Sequence, residues 1–222
     1  MDFVRKAGNA LGARCFIVGA GEFTGHYSPG EDDYVIAADA GFPALVSRGV
    51  TPDLVVGDFD SLGFTPEHPN VVLCAAEKDD TDMMLAVRQG LSRGYRSFVI
   101  DGGTDGRLDH TLANFQILSF LAENGARGVL LGRDMCAAAV RNGSLRFLSG
   151  GSGYVSVFCA GERARGVSLS GLKFPLHDAE LTFVYPLGVS NEFTGESAAV
   201  SVLDGSLIVI WAGGPELLAE GE

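Results

Sequence analysis

The chain has 222 residues, of which 46% are hydrophobic, and its formal net charge at neutral pH is −12. The apolar content provides a core and excludes an intrinsically disordered chain, and the length indicates one or two domains. The surplus of carboxylates argues against a broad basic surface for nucleic acid and against binding to an anionic membrane. We therefore expect a folded protein with neither nucleic acid nor a membrane as its partner.

The cysteines and the start of the chain indicate a cellular compartment. Cys15, Cys74, Cys136 and Cys159 are widely and irregularly spaced. This spacing argues against a zinc cage or a disulfide framework and is typical of a reducing compartment. The segment Met1–Lys6 lacks the apolar run of a signal peptide. No apolar stretch reaches the ~18–20 residues needed to span a bilayer. We therefore expect a cytoplasmic protein.

Short apolar strands alternate with helices in the first part of the chain. Strands are predicted at 15–18, 34–38, 54–56, 71–74, 98–100 and 129–131. Helices are predicted at 41–48, from residue 80 or 81 to about 93, and from 109 to about 124. This alternation is typical of a parallel sheet covered on both faces. It predicts an α/β domain over residues 1–137.

The second part of the chain has little helical periodicity. Strand-like runs lie at 154–158, 167–169, 181–185, 198–203 and 207–211, with turn residues between them. Asp204-Gly205 is typical of a two-residue hairpin turn, so we expect the last two strands to pair. These features predict an antiparallel β-sandwich domain over residues 138–222. The predicted fold class is therefore an α/β domain followed by a β-sandwich.

Carboxylates follow four successive strands of the predicted parallel sheet. They are Asp39 after the second strand, Asp58 and Asp60 after the third, Asp79, Asp80 and Asp82 after the fourth, and Asp101, Asp105 and Asp109 after the fifth. Ligands of open parallel sheets bind outside the carboxyl ends of the strands, so these acids are expected to meet at one edge. Clustered carboxylates repel one another unless a cation binds, and their hard oxygens favour Mg²⁺, which also binds substrate phosphates. Any single aspartate of this set is also explained by a turn or a helix cap.

Two segments carry groups suited to phosphate. Lys78 and Thr81 lie where the second helix is expected to begin, and an ammonium group beside helical N–H groups suits an anion. An ordinary helix cap with a solvated lysine explains the same residues. Gly102 opens a glycine-rich loop that contains Arg107, and such a loop can place N–H groups and a guanidinium around phosphate oxygens.

Two polar residues of the following helix are predicted to face the same site. His110 and Asn114 are four residues apart, so they share one helix face. A lone histidine is more often structural, but this one lies beside arginine and aspartate at a strand end.

Several nucleotide and nucleophile motifs are absent from the sequence. Gly19-Ala20-Gly21 begins like a dinucleotide-binding loop, but Thr24 stands at the position of the third glycine. The chain has neither a P-loop nor a G-x-S-x-G nucleophile motif. A covalent mechanism therefore lacks support, which leaves positioning and charge neutralisation, the usual basis of phosphoryl transfer.

Several segments resemble, in order, the motifs of the thiamine pyrophosphokinase family. They are A-D-A-G at 38–41, T-P-D-L-V-V-G-D-F-D-S at 51–61, K-D-D-T-D at 78–82 and G-R-L-D-H-T-L-A-N at 106–114. The second half also resembles the family, through G-L-K-F-P-L at 171–176 and V-S-N-E at 189–192. Ala40 is a departure, since the family usually has glycine there.

The resemblance implies an activity and an assembly. It implies that ATP and Mg²⁺ bind among the aspartates of the α/β domain, and that pyrophosphate passes from ATP to the thiamine hydroxyl, releasing AMP. It also implies a homodimer with the active site at the subunit interface. Thiamine would bind there near Ser190 and Asn191 of the sandwich and the partner's catalytic domain.

The predicted site residues follow from the pattern and the resemblance together. The predicted metal ligands are Asp58, Asp60 and Asp82, and the predicted catalytic set adds Asp79 and Arg107 to these three. The predicted ATP-binding residues are Asp39, Lys78, Thr81, Gly102, Arg107, Asp109, His110 and Asn114, and the predicted substrate-binding residues are Ser190 and Asn191.

Two other functions remain as alternatives. A kinase that transfers only the γ-phosphate would release ADP instead of AMP. A non-catalytic sensor would bind thiamine diphosphate or a nucleotide without turnover, with the sandwich serving for dimerisation.

Overall fold

A computed structural model describes residues 12–75 and 79–219 of the chain. The backbone contacts divide it into two compact units, with the division between Asn114 and Phe115. The boundary between residues 137 and 138 stays a prediction. In the described part of the chain, no helix is long and apolar enough to cross a membrane.

The first unit contains the predicted alternation of strands and helices. Its strands are β1 (Cys15–Val18), β2 (Tyr34–Ala38), β3 (Leu54–Gly57), β4 (Val71–Leu73) and β5 (Ser97–Asp101). Its helices are α1 (Gly41–Val46), α2 (Asp82–Ser92) and the start of α3 (Leu108–Glu123), which continues into the second unit. Every predicted element of this unit is confirmed to within two residues at each end, including α1, which ends at Val46 instead of Arg48.

All five strands of the first unit are parallel, in the order β5-β1-β2-β3-β4. Strands β1 and β3 are buried along their whole length, which explains why they are continuously apolar. The chain runs from β1 towards β4 on one side and returns to place β5 on the other side of β1. The carboxyl ends of β1 and β5 therefore form a topological switch point, where open α/β sheets bind ligands.

The turn after β2 explains the departure from the family motif. Ala40 lies before α1 with an ordinary φ of −65°, so this position does not require glycine. Gly41 does, because a Cβ atom there would lie 1.9 Å from the carbonyl oxygen of Val18. Of the two positions at which the family has glycine, 40 and 41, only position 41 therefore requires it here.

The second unit consists of antiparallel strands. They are β6 (Arg127–Leu131), β7 (Met135–Arg141), β8 (Ser144–Phe147), β9 (Tyr154–Cys159), β10 (Arg163–Ser170), β11 (Leu176–Thr182), β12 (Gly188–Glu192), β13 (Ala198–Ser201) and β14 (Ser206–Ala212). A short 3-10 helix covers Pro215–Leu217. One set of neighbouring strands has the order β12-β9-β14-β7-β6 and the other has the order β11-β10-β13-β8. The predicted fold class is confirmed.

Three aromatic rings fill the core of the second unit. Phe147 of β8 lies 5.3 Å, centroid to centroid, from both Phe193 and Trp211, edge to face in each case. Trp211 is fully buried, and its indole N–H donates to the carbonyl oxygen of Gly214. Phe147 and Trp211 come from different sheets, so this cluster holds the two sheets together.

The predicted hairpin at Asp204-Gly205 is wrong. Strand β13 pairs with β8 and β10, whereas β14 pairs with β7 and β9. The two residues therefore carry the chain from one sheet to the other. Gly205 still requires glycine, because φ is +111° and a Cβ atom would lie 2.9 Å from the carbonyl oxygen of Arg163.

Other differences between the predicted and the observed strands lie in segments whose sequence has little apolar alternation. The strand predicted over 181–185 ends at Thr182, and Phe183 and Val184 form a turn on the surface. Strand β7 was not predicted because its centre is a run of alanines, which is not typical of strands. Strands β8 and β12 are short and largely exposed, so they carry little apolar signal.

The close contact at Gly41 gives a test of the fold. We expect Gly41→Ala to lower the free energy of unfolding by about 3 kcal/mol, because a rigid carbonyl group occupies the space that the new methyl group needs. Gly30→Ala is the control, since its Cβ atom would meet nothing closer than Asp33 Oδ2 at 3.8 Å. Urea unfolding followed by circular dichroism measures both variants. Equal stabilities for the two would contradict the packing described here.

Candidate active site

A cavity of about 470 Å³ lies at the carboxyl end of the parallel sheet of the first unit. The segments after β1, β2 and β5 and the first turns of α2 and α3 form its wall. The lining residues are Gly19, Ala20, Gly21, Glu22, Ala38, Asp39, Thr81, Asp82, Met83, Gly102, Gly103, Asp105, Gly106, Arg107, His110, Ala113 and Asn114. The cavity therefore occupies the switch point between β1 and β5.

Glycines let two loops of this wall touch backbone to backbone. The N–H of Gly21 donates to the carbonyl oxygen of Gly102 at 2.8 Å. A Cβ atom at Gly19 or Gly21 would lie 2.8 or 2.7 Å from that same oxygen, so neither position has room for a side chain. Gly102 itself has a φ of +66°. The loop after β1 and the loop after β5 are thus fixed against each other.

The pairing of Asp101 with Thr24 beside the cavity is not predicted from the sequence, which places Asp101 only among the acids at the sheet edge. Asp101 ends β5 and is fully buried. Its carboxylate accepts hydrogen bonds from the N–H groups of Thr24, Gly25 and Gly102 and from the Thr24 hydroxyl. The signal in the sequence is an aspartate at a strand end before two glycines, which is equally typical of an exposed turn.

The beginning of α2 forms another part of the wall. Thr81 caps this helix, and its hydroxyl accepts a hydrogen bond of 3.1 Å from the N–H of Met84. Thr81 and Asp82 both line the cavity. Because the positive end of the helix dipole lies here, this side of the cavity suits an anion.

Arg107 and Asp109 form a bidentate ion pair on the surface beside the cavity. The guanidinium donates from Nε to Oδ1 at 3.1 Å and from a terminal nitrogen to Oδ2 at 2.6 Å. This pairing lowers the pKa of Asp109 to about 2 and raises the pKa of Arg107. Both side chains are well exposed, so Arg107 remains accessible to a ligand entering the cavity, which it lines.

His110 and Asn114 share one side of α3, as predicted, and both line the cavity. Asn114 is buried, and its amide donates to the carbonyl oxygen of Gly103 at 2.7 Å. It therefore also supports the glycine-rich loop. His110 is exposed at the cavity edge.

The acidic turn after β3 is built around Phe59. This residue has a φ of +61° and is only 2% exposed, so its ring is anchored inside the unit. Asp58 and Asp60 flank it, with a hydrogen bond of 3.2 Å from the N–H of Asp60 to Asp58 Oδ1. The next residue, Ser61, donates its hydroxyl hydrogen to Asp39 Oδ2 at 2.6 Å. The turn after β3 is thereby tied to the end of β2.

Asp39 retains one oxygen without a partner. Its Oδ1 is buried and has no hydrogen bond within residues 12–75 and 79–219. A buried carboxylate oxygen without a donor is costly, and a cation would satisfy it. The carboxylate oxygens of Asp39, Asp58 and Asp60 are of the kind that Mg²⁺ prefers, and the bond from Ser61 to Asp39 ties the two turns that carry them. Within the described ranges, no three such side chains are already grouped as a metal cluster.

The predicted site residues divide into three groups. Those that line the cavity are Asp39, Thr81, Asp82, Gly102, Arg107, His110 and Asn114. Those of the first unit that do not line it are Asp58, Asp60, Asp79 and Asp109, and Lys78 lies outside the described residues. Ser190 and Asn191 lie on β12 in the second unit.

The side chain of Asn191 is buried and hydrogen-bonded to the backbone of the second unit. It is 4% exposed, its side-chain oxygen accepts from the N–H groups of Phe174 and Glu192, and its amide donates to the carbonyl oxygen of Phe174. These bonds fasten the segment before β11 to β12. Ser190 is exposed with a φ of +61°, and its N–H donates to the Ser156 hydroxyl.

The fold and the site together define a class: an α/β protein with a ligand cavity at the switch point of a parallel sheet, followed in the chain by an antiparallel sandwich. Two family models match, "Thiamin pyrophosphokinase, catalytic domain" over residues 29–130 and "Thiamin pyrophosphokinase, vitamin B1 binding domain" over residues 148–207. The chain belongs to the thiamine pyrophosphokinase family, a family of transferase enzymes.

Individual relatives agree with this assignment. The thiamine pyrophosphokinase of Bacillus subtilis is 29% identical over 182 residues, which cover 79% of this chain and 85% of the relative. A crystal structure of the Bacillus subtilis enzyme has a TM-score of 0.80 at 27% identity and covers 90% of this chain and 98% of its own. A family member from Enterococcus faecalis has a TM-score of 0.77 at 28% identity and covers 90% and 99%.

The ion pair at the cavity edge gives a test by NMR. We expect the Asp109 carboxyl carbon to titrate with a pKa of about 2 in the wild type, because Arg107 stabilises the ionised form. In Arg107→Gln the pKa should rise towards the ordinary value of 3.8. Since the pKa is lowered in the folded state, the pair stabilises the fold above the ordinary pKa and loses this effect as the pH falls through about 2.

The surface variant Arg165→Gln is the control for this titration. Arg165 pairs with Glu180 in the second unit, so its loss should leave the Asp109 titration unchanged. An Asp109 pKa that is the same in wild type and Arg107→Gln would show that the pair does not persist in solution.

Proposed function

We propose that this chain is a Mg²⁺-dependent thiamine pyrophosphokinase. It transfers pyrophosphate from ATP to the hydroxyl of thiamine and produces thiamine diphosphate and AMP. The observation that carries this proposal is that seven residues predicted for ATP or metal line one cavity at the switch point of the sheet. Membership of a family whose members are named for this reaction supports the same conclusion.

The cavity offers the groups that a polyphosphate requires. Backbone N–H groups of the loops after β1 and β5, the positive end of the α2 dipole and the Arg107 guanidinium all lie on its wall. The sequence supplies Lys78 just before α2 as a further cation. These groups offset the negative field of a chain with a net charge of −12, which would otherwise repel ATP.

Asp39, Asp58, Asp60 and Asp82 are the residues proposed to hold Mg²⁺. All four carry hard oxygen ligands at strand ends or helix starts of one unit, and Asp39 has the unpartnered Oδ1. When bound, Mg²⁺ would offset charge on the phosphate oxygens. The residues of the chain position the substrates so that the thiamine hydroxyl attacks the β-phosphorus in line and AMP leaves.

We also propose that the enzyme is a homodimer, with thiamine bound near β12 at the subunit interface. The segment between β11 and β12 supports this. It presents Phe183, Val184 and Tyr185 at 77%, 88% and 65% exposure, and Leu187 follows at 45%. An apolar surface of this kind is typical of an interaction site. It adjoins Ser190 and Asn191, so a partner that covers it would also border the proposed thiamine site.

The decisive experiment is incubation of the protein with Mg²⁺, ATP and thiamine, followed by phosphorus NMR. We expect AMP and thiamine diphosphate in equal amounts. Release of ADP would instead support transfer of the γ-phosphate alone. Binding without turnover over hours would support the sensor.

The acidic turn provides the matched variants for that assay. Asp60→Asn should lower kcat by about 100-fold or more, the size expected when one electrostatic contact to the transition state is lost. Asp32→Asn, an exposed aspartate of the same unit, should retain wild-type kcat. Near-wild-type turnover by Asp60→Asn in Mg²⁺ would rule out its role in binding the metal.

Analytical ultracentrifugation tests the dimer. We expect the wild type to sediment as a dimer of the 23.2 kDa chain, and Val184→Asp to shift it to monomer, because a buried charge in an apolar interface is unfavourable. Phe64→Asp, which alters an exposed apolar residue of the first unit, should leave the dimer intact. A wild type that stays monomeric at micromolar concentration would contradict the proposal.

A further inference from the structure

Asp101 lies at the switch point but takes no part in lining the cavity. It is fully buried, whereas Gly102 and Gly103, which follow it, are lining residues. A buried carboxylate is unfavourable unless it is hydrogen-bonded, so the reason for its presence must lie in its partners.

The carboxylate of Asp101 is saturated by four donors. Oδ1 accepts from the N–H of Thr24 at 2.9 Å and from the N–H of Gly102 at 2.7 Å. Oδ2 accepts from the Thr24 hydroxyl at 2.8 Å and from the N–H of Gly25 at 3.2 Å. Two oxygens offer about four acceptor sites, so no lone pair remains to bind a metal ion. Asp101 therefore differs in role from the other aspartates at the strand ends.

These bonds connect two loops that are far apart in the sequence. The backbone of the same two loops is joined by bonds of 2.8 Å from Gly19 to the Asp101 carbonyl and from Gly21 to the Gly102 carbonyl. Those backbone bonds fix residues 19–21, and the Asp101 carboxylate extends the attachment to Thr24 and Gly25. Without the carboxylate, Thr24 and Gly25 would lose their hydrogen bonds to the loop after β5.

The two attached loops each present an available backbone donor. Ala20 and Gly103 line the cavity, and their N–H groups have no acceptor within residues 12–75 and 79–219. Gly103 is buried, and a buried N–H group without an acceptor is unfavourable unless a ligand supplies one. Two such groups on the wall of one cavity are donors from which a phosphate oxygen could accept hydrogen bonds.

We propose that Asp101 is a positioning residue for the nucleotide. Its carboxylate orients Gly103 through Gly102, and through Thr24 and Gly25 it holds the rest of the loop that carries Ala20, so that the N–H groups of Ala20 and Gly103 are available to a bound phosphate. Four hydrogen bonds stabilise its carboxylate inside the protein, so it can hold the two loops without a cation of its own. This inference rests on the proposed function, because the ligand is the polyphosphate of ATP.

The test compares Asp101→Asn with Asp32→Asn. In Asp101→Asn an amide N–H₂ replaces one acceptor and faces two of the donors, so the loop loses part of its attachment. We expect the Kd for Mg²⁺-ATP alone, measured by calorimetry, and the KM for ATP to rise about 10-fold to 100-fold, the effect of a small misplacement of binding groups. The KM for thiamine should remain unchanged. Asp32→Asn should match the wild type in all three.

A second pair of variants covers the case in which Asp101→Asn does not fold. Thr24→Val removes the hydroxyl that binds Asp101 Oδ2 and should also raise the Kd for ATP, whereas Thr24→Ser keeps the hydroxyl and should restore most of the affinity. A purely structural role would lower the active fraction, and hence kcat, with both KM values unchanged.

The outcomes separate this inference from the proposed function. If wild type and a folded Asp101→Asn or Thr24→Val bind ATP equally, the positioning role is wrong and the proposed function stands. If the wild type binds ATP tightly, the variants bind it weakly and no AMP forms, the proposed function is wrong and the positioning role stands. A wild type that does not bind ATP would overturn both.

Discussion

The backbone contact between the loops after β1 and β5 is the constraint on which the candidate site depends. Gly19 and Gly21 lie against the carbonyl oxygen of Gly102, and a Cβ atom at either position would be within 3 Å of it. The parallel order of the sheet brings these strand ends together, but only glycine lets them touch. The loop after β1 leads on to β2 and the loop after β5 leads into α3, and the cavity lies where these loops meet, bounded also by the first turns of α2 and α3.

Three aspartates of this edge of the sheet differ in their burial and in their hydrogen-bond partners. Asp101 is buried and accepts four hydrogen bonds, Asp109 is exposed and paired with Arg107, and Asp39 has one buried oxygen without a partner among the described residues. The same residue type therefore does three different things within one edge of a sheet. The sequence predicts that acidic residues lie at this edge of the sheet. Their hydrogen-bond partners in the structure distinguish their roles: Asp101 holds the backbone of two loops, Asp109 pairs with arginine, and Asp39 suits a cation.

Much of the first unit could be predicted, because its fully buried strands are continuous apolar runs and its helix starts carry recognisable caps such as Thr81. Seven of the predicted site residues meet in the cavity for the same reason: the topology of a parallel sheet places strand ends together. Asp101 and Thr24 could not be predicted, since their pairing spans 77 positions of sequence and leaves no local pattern. The hairpin predicted at Asp204-Gly205 was wrong because a turn sequence does not determine whether the strands on either side of it belong to one sheet.

Strained backbone conformations lie in the segments that carry the candidate site. Among the residues that the structure describes, five other than glycine have positive φ values, and three of them, Asp39, Phe59 and Ser190, lie in the segments that carry the candidate site. For Phe59 the left-handed conformation costs on the order of 1–3 kcal/mol, which burial of its ring offsets by about 1.5–3 kcal/mol. The ring thereby serves as an anchor for the turn that carries Asp58 and Asp60. A smaller side chain at this position would lose the anchor and keep the strain, so the phenylalanine between the two aspartates is explained by the geometry that the acids require.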